Sequence, residues 1–574
     1  MLWRKKGHIK RTRDIAPDEI FLDSSNLPRH NKSQFEGRIE RPISRHALIG
    51  VGVVFTLVAM AYVAQAFSLQ VIHGASYADL SKKNTLDRSV VFATRGVIYD
   101  RTGHELAWND TVDEASSTAP VENASSSFAY RHYSDLPGLA HLLGFVRYPK
   151  ADAKGEWWRE EYNGMAGVEL AFNDQLRGVN GSVLAETDAH GHEIRGDIVD
   201  PPQNGEKLTL AIDADVQSEL YKILSTHAQE NHFVGGAAVI MDVQTGELLS
   251  VTSFPEYNNV AFTEGNSSSI AAASNDPSSP LLNRAVSGLY APGSIVKPIF
   301  AAAALNEHII SPDKQILSTG KLVIPNPYDP SKPTVFRDWA VHGWIDMRTA
   351  IAVSSDEYFY TIGGGFGGQP GLGITKIDQY AKMFGLGSTT GIALQNEKAG
   401  VIPTPEWKKE IFGADDPWRI GDTYHTAIGQ YGFQVTPIQA VRYIAAIANG
   451  GKLLKPQIIA SSTPEYTTVP ISNEYLQIVR EGMRMAVTST RPDATVKALN
   501  MSDVAIAAKT GTAQIGGHNQ WMNSWSVGFW PADHPKYAYA VVLERAPAGT
   551  PSGAAPGLAP FFRWLAKNHP EYTQ

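Results

Sequence analysis

A serine followed three residues later by a lysine can supply a nucleophile and its base, and Ser294 and Lys297 have that spacing. The segment they open, SIVKPIFAAAALNEH, is rich in alanine and apolar residues, which predicts a helix. Pro298 is tolerated only in the first turn, where the backbone N–H groups have no partner within the helix. We therefore expect Ser294 at or beside the helix start, with Lys297 on the same face and within reach of its hydroxyl.

The spacing alone is weak evidence, because it recurs twice more. Ser311 and Lys314 lie in SPDKQ, and Ser318 and Lys321 lie in STGKL, both among turn-forming residues. Without further matches, Ser294 would be read more simply as a helix cap followed by a solvated lysine. The sequence context favours Ser294 as the nucleophile among the three serines.

A second set of residues follows an apolar, strand-like run. Lys509, Thr510, Gly511 and Thr512 continue VAIAA. Alternation along a strand places the two threonines on one side, and Gly511 leaves the backbone open to an extended peptide. Lys509 can bind a substrate carboxylate and disfavour protonation of a nearby Lys297. The alternative interpretation is a polar edge strand that ends in a turn.

A third pair is Ser354 and Asp356, which follow the short apolar run MRTAIAVS. The Ser354 hydroxyl can relay a proton between Lys297 and a leaving amine, and Asp356 can orient a lysine. The pattern is unspecific by itself, since Ser24 and Asn26 match it equally well near the N-terminus. The pair is informative because it lies between the Ser294 and Lys509 motifs in the sequence.

A long uncharged segment precedes all of these residues. From Ala47 to Ile72 the chain carries no charge, over more than the roughly 20 residues that a helix needs to cross a bilayer. A cleaved signal peptide and a buried core helix are the alternatives, and the run is too long for the first and too uninterrupted for the second. Basic residues predominate before it, including Arg38, Arg41 and Arg45, so we expect that end to be cytoplasmic.

Composition and length limit the remaining possibilities. The 574 residues exceed what one hydrophobic core supports, and the net charge of -8 is spread along the chain, which gives no indication of nucleic-acid binding. The absence of cysteine excludes disulfides and thiolate metal sites. We predict a disordered cytoplasmic tail (1–46), a transmembrane helix (47–72), a smaller domain (73–205) and a larger domain (206–574).

The larger domain is predicted to be α+β. A strand at Lys207–Asp213, a helix from Ala214 and a hairpin formed by GGAAVIMDV and ELLSVTSF precede a helix-rich middle. Three strand-like runs, VAIAAKTGTAQ, WSVGFW and YAYAVVLE, follow near the end. Strands at both ends of the domain predict one sheet that draws on both.

In this order, YAPGSIVKP, SSD and KTGT resemble the transpeptidase domain of class B penicillin-binding proteins. ATRGVIYDRTGHELAWN and GMAGVELAFNDQLRGVNG are similar to membrane-proximal and pedestal segments of that family, and the resemblance covers residues 90 to 565. It implies a transpeptidase/β-lactamase-like domain, with an antiparallel sheet and a helical subdomain, behind a dimerisation-type pedestal.

The resemblance departs from the family at three places. Asp356 stands where division-type relatives usually carry asparagine and resembles the elongation-type penicillin-binding protein 2 branch. Tyr431 and Gly432 reverse the usual order of glycine and aromatic residue, which leaves the local backbone geometry open. The segment between Trp108 and Gly164 is shorter than in well-known relatives, so the pedestal head is expected to be reduced.

The resemblance implies a peptidoglycan D,D-transpeptidase that cross-links stem peptides through a Ser294 acyl-enzyme and is acylated by β-lactams. Backbone N–H groups of Ser294 and Thr512 are expected to form the oxyanion hole. A D,D-carboxypeptidase, a β-lactamase and a non-catalytic β-lactam receptor remain alternatives. The expected catalytic residues are Ser294, Lys297, Ser354 and Lys509, and the expected substrate-binding residues are Asp356, Thr510, Gly511 and Thr512.

The family also implies partners. A glycan polymerase of the SEDS type in the membrane is expected, because class B proteins lack a glycosyltransferase domain of their own, and other membrane proteins of an elongation complex can accompany it. No nucleic acid, metal or cofactor is expected.

Overall fold

The computed structural model describes residues 44–78, 86–110, 128–153, 157–187, 193–326 and 328–574. Two compact units divide the chain at Leu86/Asp87 and are considered separately. The predicted tail (1–46), with the Ser24/Asn26 match, lies outside the described residues except for 44–46.

The first unit contains a long apolar helix. α1 spans Arg45–Phe67 and continues as a π-helical turn over Ser68–Ile72. The Ser44 hydroxyl accepts a hydrogen bond from the Ala47 N–H at 3.2 Å and caps its start. At 1.5 Å per residue, Arg45–Ile72 is roughly 42 Å long, more than the roughly 30 Å of a hydrocarbon core. Within the described residues it is the one helix long and apolar enough to cross a membrane.

The start of the second unit consists of short elements. Their bounds are β1 Leu86–Val91, β2 Ile98–Tyr99, β3 Glu105–Asn109, β4 Arg131–Tyr133, α2 Ala140–Leu143, β5 Val146–Arg147, β6 Lys150–Ala151, β7 Trp157–Arg159, β8 Asn163–Gly164, α3 Gly167–Ala171, α4 Asn173–Leu176, β9 Gly181–Thr187, β10 Glu193–Asp200 and β11 Leu208–Thr209. The strands form the sheets β1-β9-β10 and β11-β2-β3-β4 and the pairs β5-β8 and β6-β7. The strand predicted over Lys207–Asp213 is therefore shortened to two paired residues.

A buried charge cluster connects these short elements. The Glu169 carboxylate of α3 accepts hydrogen bonds from Arg95 Nε at 2.5 Å and from Arg131 Nε at 2.8 Å, and all three side chains are fully buried. Burial opposes the charge of Glu169, but the two guanidinium groups hold its pKa below the usual value. Removal of one partner would leave an uncompensated buried charge, so the cluster fixes these segments together.

The rest of the second unit alternates strands and helices. Its strands are β12 Gly235–Asp242, β13 Leu248–Phe254, β14 Ile316–Ser318, β15 Lys321–Ile324, β16 Thr334–Arg337, β17 Gly343–Ile345, β18 Lys452–Leu454, β19 Tyr466–Thr468, β20 Ala507–Ile515, β21 Trp521–Trp530 and β22 Tyr537–Pro547. Its helices are α5 Ala214–Glu230, α6 Asn259–Thr263, α7 Ser267–Asn275, α8 Arg284–Ser287, α9 Lys297–Asn306, α10 Met347–Val353, α11 Asp356–Gly364, α12 Gly373–Met383, α13 Pro405–Phe412, α14 Ile420–Ala427, α15 Pro437–Ala448, α16 Asn473–Thr488 and α17 Ala554–Asn568.

Five of these strands form an antiparallel sheet in the order β13-β12-β22-β21-β20. The predicted hairpin, the three late strands and the α+β class are thereby confirmed. β12 shows why the sheet is central: Val239 and Met241 belong to one apolar core, whereas Ala238 and Ile240 belong to another. A strand covered on both faces reads as a continuous apolar run, as GGAAVIMD does.

Candidate active site

Ser294 lies in a 3₁₀ turn, Gly293–Val296, that leads directly into α9. The sequence correctly predicts a helix start here, but its first turn is tighter than an α-helix. Ser294 is half-buried between buried neighbours, and the Ile295 carbonyl accepts a hydrogen bond from the Tyr443 hydroxyl at 2.6 Å. Within the described residues the Ser294 hydroxyl makes no hydrogen bond, a looseness common in enzymes without substrate.

The backbone around Gly293 is packed too tightly for a side chain. Gly293 has φ +55°, its N–H donates to the Gly429 carbonyl at 2.9 Å, and a Cβ on it would lie 3.1 Å from the Thr512 carbonyl oxygen. A Cβ on Gly511 would lie 2.8 Å from the Pro292 carbonyl oxygen. These close approaches bring the 3₁₀ turn and β20 together, which the separate motifs could not reveal.

Lys297 is fully buried and points at the Ser354–Asp356 segment. Its Nζ donates to the Ser354 carbonyl at 2.7 Å, forms an ion pair with Asp356 Oδ1 at 2.6 Å, and lies 3.5 Å from Ser354 Oγ. The ammonium also sits 5.3 Å from the centre of the Phe359 ring. The predicted orienting role of Asp356 is consistent with this ion pair.

Ser354 ends α10 in the left-handed conformation, with φ 58° and ψ 38°. That conformation is uncommon for residues other than glycine and requires support from its surroundings. It holds Ser354 Oγ 2.7 Å from Lys509 Nζ as well as 3.5 Å from Lys297 Nζ. One hydroxyl thus contacts both lysines, as a proton relay requires.

Lys509 is fully buried, and its Nζ also donates to the Thr510 carbonyl at 2.9 Å. Burial lowers the pKa of Lys509 well below its ordinary value, and the charge of Lys297 lowers it further, against the opposing effect of Asp356. Lys509 therefore favours its charged form less strongly than an exposed lysine does, and a bound carboxylate would restore that preference.

Thr510, Gly511 and Thr512 lie on β20, at one end of the five-stranded sheet. Lys509 and Gly511 are buried, whereas Thr510 is half-buried and Thr512 is exposed, which matches the predicted alternation. One edge of β20 pairs with β21, and its other edge has no strand partner among the described residues. An extended peptide can therefore pair with this edge.

A second group, absent from the sequence prediction, supports the Ser354–Asp356 segment from behind. Asp338 Oδ2 accepts hydrogen bonds from the Ser355 hydroxyl at 2.6 Å and from the Glu357 N–H at 2.9 Å. His342 Nε2 lies 3.6 Å from Asp338 Oδ1, and His342 Nδ1 lies 2.8 Å from Asp493 Oδ2. Asp338 and His342 lie four residues apart, but Asp493 is about 150 residues away, so no local pattern in the sequence joins the three.

The pKa values of this group reflect mutual pairing. Burial opposes the charged imidazole, but the contacts with Asp338 and Asp493 raise the pKa of His342. Burial also opposes the two carboxylates, yet contacts with His342 and Ser355 lower the pKa of Asp338 to about 2, and contacts with Arg491 and His342 lower that of Asp493 to about 2.

The other serine–lysine pairs lie in different settings. Ser311 precedes a turn, and Ser318 ends β14 with its hydroxyl buried and without a hydrogen bond among the described residues. Neither serine opens a helix. The reversed pair at Tyr431 and Gly432 also has a defined geometry, with φ of 64° and 80°, and a Cβ on Gly432 would strike the Trp407 ring.

Comparison with known proteins agrees with this arrangement. Residues 236–562 match the penicillin binding protein transpeptidase domain, and residues 126–210 match the penicillin-binding protein dimerisation domain. The peptidoglycan D,D-transpeptidase MrdA of Haemophilus influenzae is 28% identical over 607 residues, which cover 89% of this chain and 88% of that protein.

Solved structures show the same fold. The penicillin-binding protein PBP2 of Helicobacter pylori, in its complex with MreC, has a TM-score of 0.68 and 25% identity over 85% of this chain and 99% of that chain. A chain of a peptidoglycan synthase complex that coordinates polymerization and crosslinking has a TM-score of 0.67 and 25% identity over 92% of this chain and 98% of that chain. Since the transpeptidase domain alone matches more than half of the sequence, this chain belongs to the penicillin-binding protein transpeptidase family.

Proposed function

We propose that this chain is a peptidoglycan D,D-transpeptidase that cross-links stem peptides during cell-wall synthesis. The observation that carries the proposal is the single hydroxyl of Ser354, within 3.5 Å of Lys297 Nζ and 2.7 Å of Lys509 Nζ. These groups stand beside the turn that carries Ser294 and the open edge of β20. A nucleophile, a proton relay and a peptide-binding edge are the parts that acyl transfer to an amine needs.

In the first step, Ser294 Oγ attacks the carbonyl of the penultimate D-alanine, and its proton passes to the lysine pair. The proton then reaches the amine of the terminal D-alanine through Ser354. The terminal D-alanine leaves as the bond between the two D-alanines breaks. The ester formed on Ser294 is the acyl-enzyme, and the backbone N–H groups of Ser294 and Thr512 stabilise the oxyanion. In the second step an amine of another stem peptide attacks the ester and forms the cross-linking amide, the ester C–O bond breaks, and the proton of the amine returns to Ser294 Oγ through the lysine pair.

The substrate-binding residues act at the C-terminal end of the donor. Lys509 and Thr510 hold the terminal carboxylate, or the carboxylate of a β-lactam that mimics it. Gly511 lets the strand approach the peptide closely, and Thr512 presents its backbone to the scissile carbonyl. Asp356 keeps Lys297 oriented through the 2.6 Å ion pair.

α1 and the relatives support a proposed position in the cell. We propose a single membrane span, an N-terminus in the cytoplasm and a catalytic domain outside the cytoplasmic membrane. The complex of the Helicobacter relative with MreC supports an elongation-complex partner, and the synthase complex supports a SEDS-type glycan polymerase as a second.

Labelling with a fluorescent penicillin tests the proposal. The full-length chain should form a covalent adduct that persists for many minutes, and Ser294→Ala should abolish it. Because the Ser294 hydroxyl makes no hydrogen bond among the described residues, the free energy of unfolding of Ser294→Ala should lie within about 0.5 kcal/mol of the wild-type value. Ser311→Ala and Ser318→Ala are matched controls that should label normally.

The deacylation time course separates the alternatives. Release within seconds would indicate a β-lactamase. A stable adduct, without cross-linking of glycan strands that a polymerase supplies, would indicate a receptor. Release of D-alanine with transfer of the acyl group to water, and therefore without cross-links, would indicate a carboxypeptidase.

A further inference from the structure

The edge of β20 continues past the proposed catalytic residues. Ala513 follows Thr512 and pairs with Asn523 of β21, which in turn stands opposite Glu544 and Arg545 of β22. If the scissile carbonyl accepts from the Thr512 N–H with the terminal carboxylate toward Lys509, an antiparallel donor places the residue before the two D-alanines opposite Ala513. This step rests on the proposed function.

A groove of about 390 Å³ opens at that place. Its lining includes Ala291, three residues before Ser294, and Ile515 at the end of β20, together with Asn523 of β21 and Glu544 and Arg545 of β22. β22 is two strand spacings from β20, and a donor strand paired with the outer edge of β20 adds a third, so the donor backbone lies roughly 15 Å from β22. A long donor side chain and a long protein side chain can meet across that distance.

A β-bulge directs both β22 residues into the groove. Glu544 and Arg545 together stand opposite one residue of β21, Asn523, where the register shifts. Leu543 and Ala546 on either side of them pack into the same apolar core. Because successive side chains normally alternate, Glu544 and Arg545 share the opposite face only through the extra residue.

The backbone at Arg545 is held in an unfavourable conformation. Its φ is 51°, a left-handed value that bulges usually assign to glycine, and its N–H donates to Asn523 Oδ1 at 3.0 Å. Strain of this kind persists only where the surrounding structure imposes it, and it is enriched at functional sites. A glycine would be easier for the fold at this position, which makes the arginine a candidate for a role beyond folding.

The two charged side chains in the groove, Glu544 and Arg545, differ in their hydrogen-bond and ion-pair partners. Glu544 accepts hydrogen bonds from Arg284 Nε at 2.6 Å and from the Tyr290 hydroxyl at 3.2 Å. Arg545 is exposed and makes no ion pair with any described residue. The groove therefore offers a free guanidinium, whose planar set of donors matches a carboxylate.

We propose that Arg545 binds a carboxylate at the end of the donor side chain that immediately precedes the two D-alanines. The preferred stem peptide then carries a diamino-dicarboxylic residue at that position. A residue whose side chain ends in an ammonium group alone would be repelled by the same guanidinium. Arg545 is thus a specificity-determining residue that lies outside the three catalytic motifs.

A pair of penicillins provides the probe. The acylamino chain of a penicillin takes the place of the donor residues before the penultimate D-alanine, so its far end reaches the groove. Both compounds carry the same acylamino chain, which ends in a carboxylate in one and in a carboxamide in the other. The second-order acylation rate constant of the full-length chain in detergent is measured for each, with benzylpenicillin as a reference.

The wild type should react about tenfold faster with the carboxylate compound, as a charge-assisted hydrogen-bonded pair predicts. In Arg545→Gly, which suits the left-handed backbone, the ratio should fall to about one. Arg545→Lys should keep an intermediate ratio, because it retains the charge without the planar fork. Arg563→Gln, an exposed arginine on α17, should keep the wild-type ratio.

The outcomes separate this inference from the proposed function. A wild-type ratio near one, with normal acylation by benzylpenicillin, overturns the carboxylate subsite and leaves the transpeptidase intact. A tenfold ratio that survives in a folded Arg545→Gly variant overturns the assignment to Arg545. Failure of benzylpenicillin to acylate the wild type counts against the proposed function itself.

Discussion

Two buried ammonium groups contact the single hydroxyl of Ser354, and this crowding sets the chemistry at the scale of residues. Lys297 has a carboxylate partner in Asp356, whereas Lys509 has two neutral oxygens and a lowered pKa. In the proposed mechanism the base that activates Ser294 is this pair, linked through Ser354, with Lys297 nearest in sequence.

Acylation should rise with pH as the buried Lys509 loses its proton. The lowered pKa of Lys509 places that loss well below the ordinary lysine range, so the limb should appear on the acid side of about pH 10. Lys297→Arg and Lys509→Arg each fix one charge, since guanidinium does not deprotonate near neutrality. Each variant should lower the second-order acylation rate by at least about a hundredfold between pH 6 and 10.

The two variants also assign the roles, because the expected loss in both indicates that the two lysines act together and an unequal loss separates them. A collapse in Lys297→Arg with only a modest loss in Lys509→Arg identifies Lys297 as the base and Lys509 as a binding group. The reverse pattern gives the role of base to Lys509, acting through Ser354. Rates close to the wild type in both would contradict a lysine base altogether.

At the scale of elements, the turn between α10 and α11 depends on the buried group Asp338, His342 and Asp493. The raised pKa of His342 means that its pairing contributes fully below about pH 6.5 and is lost as pH rises through the raised value. The carboxylates, with pKa values of about 2, contribute above about pH 4 and lose this contribution only as pH falls toward 2.

His342→Gln should therefore destabilise the protein in a pH-dependent manner. Loss of a paired, buried imidazolium should cost about 1 to 3 kcal/mol near pH 6, and the difference from the wild type should shrink by pH 9. Thermal unfolding of both proteins at the two pH values measures it. His104→Gln, an exposed histidine, should show no such trend, and an equal loss for His342→Gln at both pH values would refute the charged pairing.

The contact between Gly429 and Gly293 gives a second prediction for elements. Gly429 has φ 74°, and a Cβ on it would lie 2.2 Å from the Gly293 carbonyl oxygen. Gly429→Ala must displace the turn that carries Ser294, so penicillin labelling should fall at least tenfold. Gly413→Ala shares the positive φ but meets nothing within 4 Å, and should label normally.

At the scale of the whole molecule, the sequence predicted what local patterns encode. The order of YAPGSIVKP, SSD and KTGT, the hairpin of β12 and β13 and the three late strands all carry spacing that survives in one dimension. The Asp338–His342–Asp493 group, the β22 bulge and the lysine with the lowered pKa arise from packing between distant segments, which leaves no periodicity to detect.

Membrane attachment is the prediction that belongs to the whole chain. The full-length protein should stay with the membrane in alkaline carbonate and should require detergent for release. Phe55→Arg and Val58→Arg lie in the middle of α1, and each should raise the free energy of membrane insertion by about 2.5 to 3.5 kcal/mol. A large fraction of the double variant should therefore appear in the supernatant. Release of the wild type by carbonate would argue against a membrane span.

The position of β12 in the sheet also determines when, during synthesis, the catalytic sheet can form. β12 pairs with β22, which lies about 300 residues later in the chain, and Tyr572 near the C-terminus donates a hydrogen bond to Asp213. A ribosome makes β12 many seconds before it makes β22. Until β22 has been made, the sheet that carries Lys509 lacks its central strand, so the nascent chain remains inactive and has exposed strand edges.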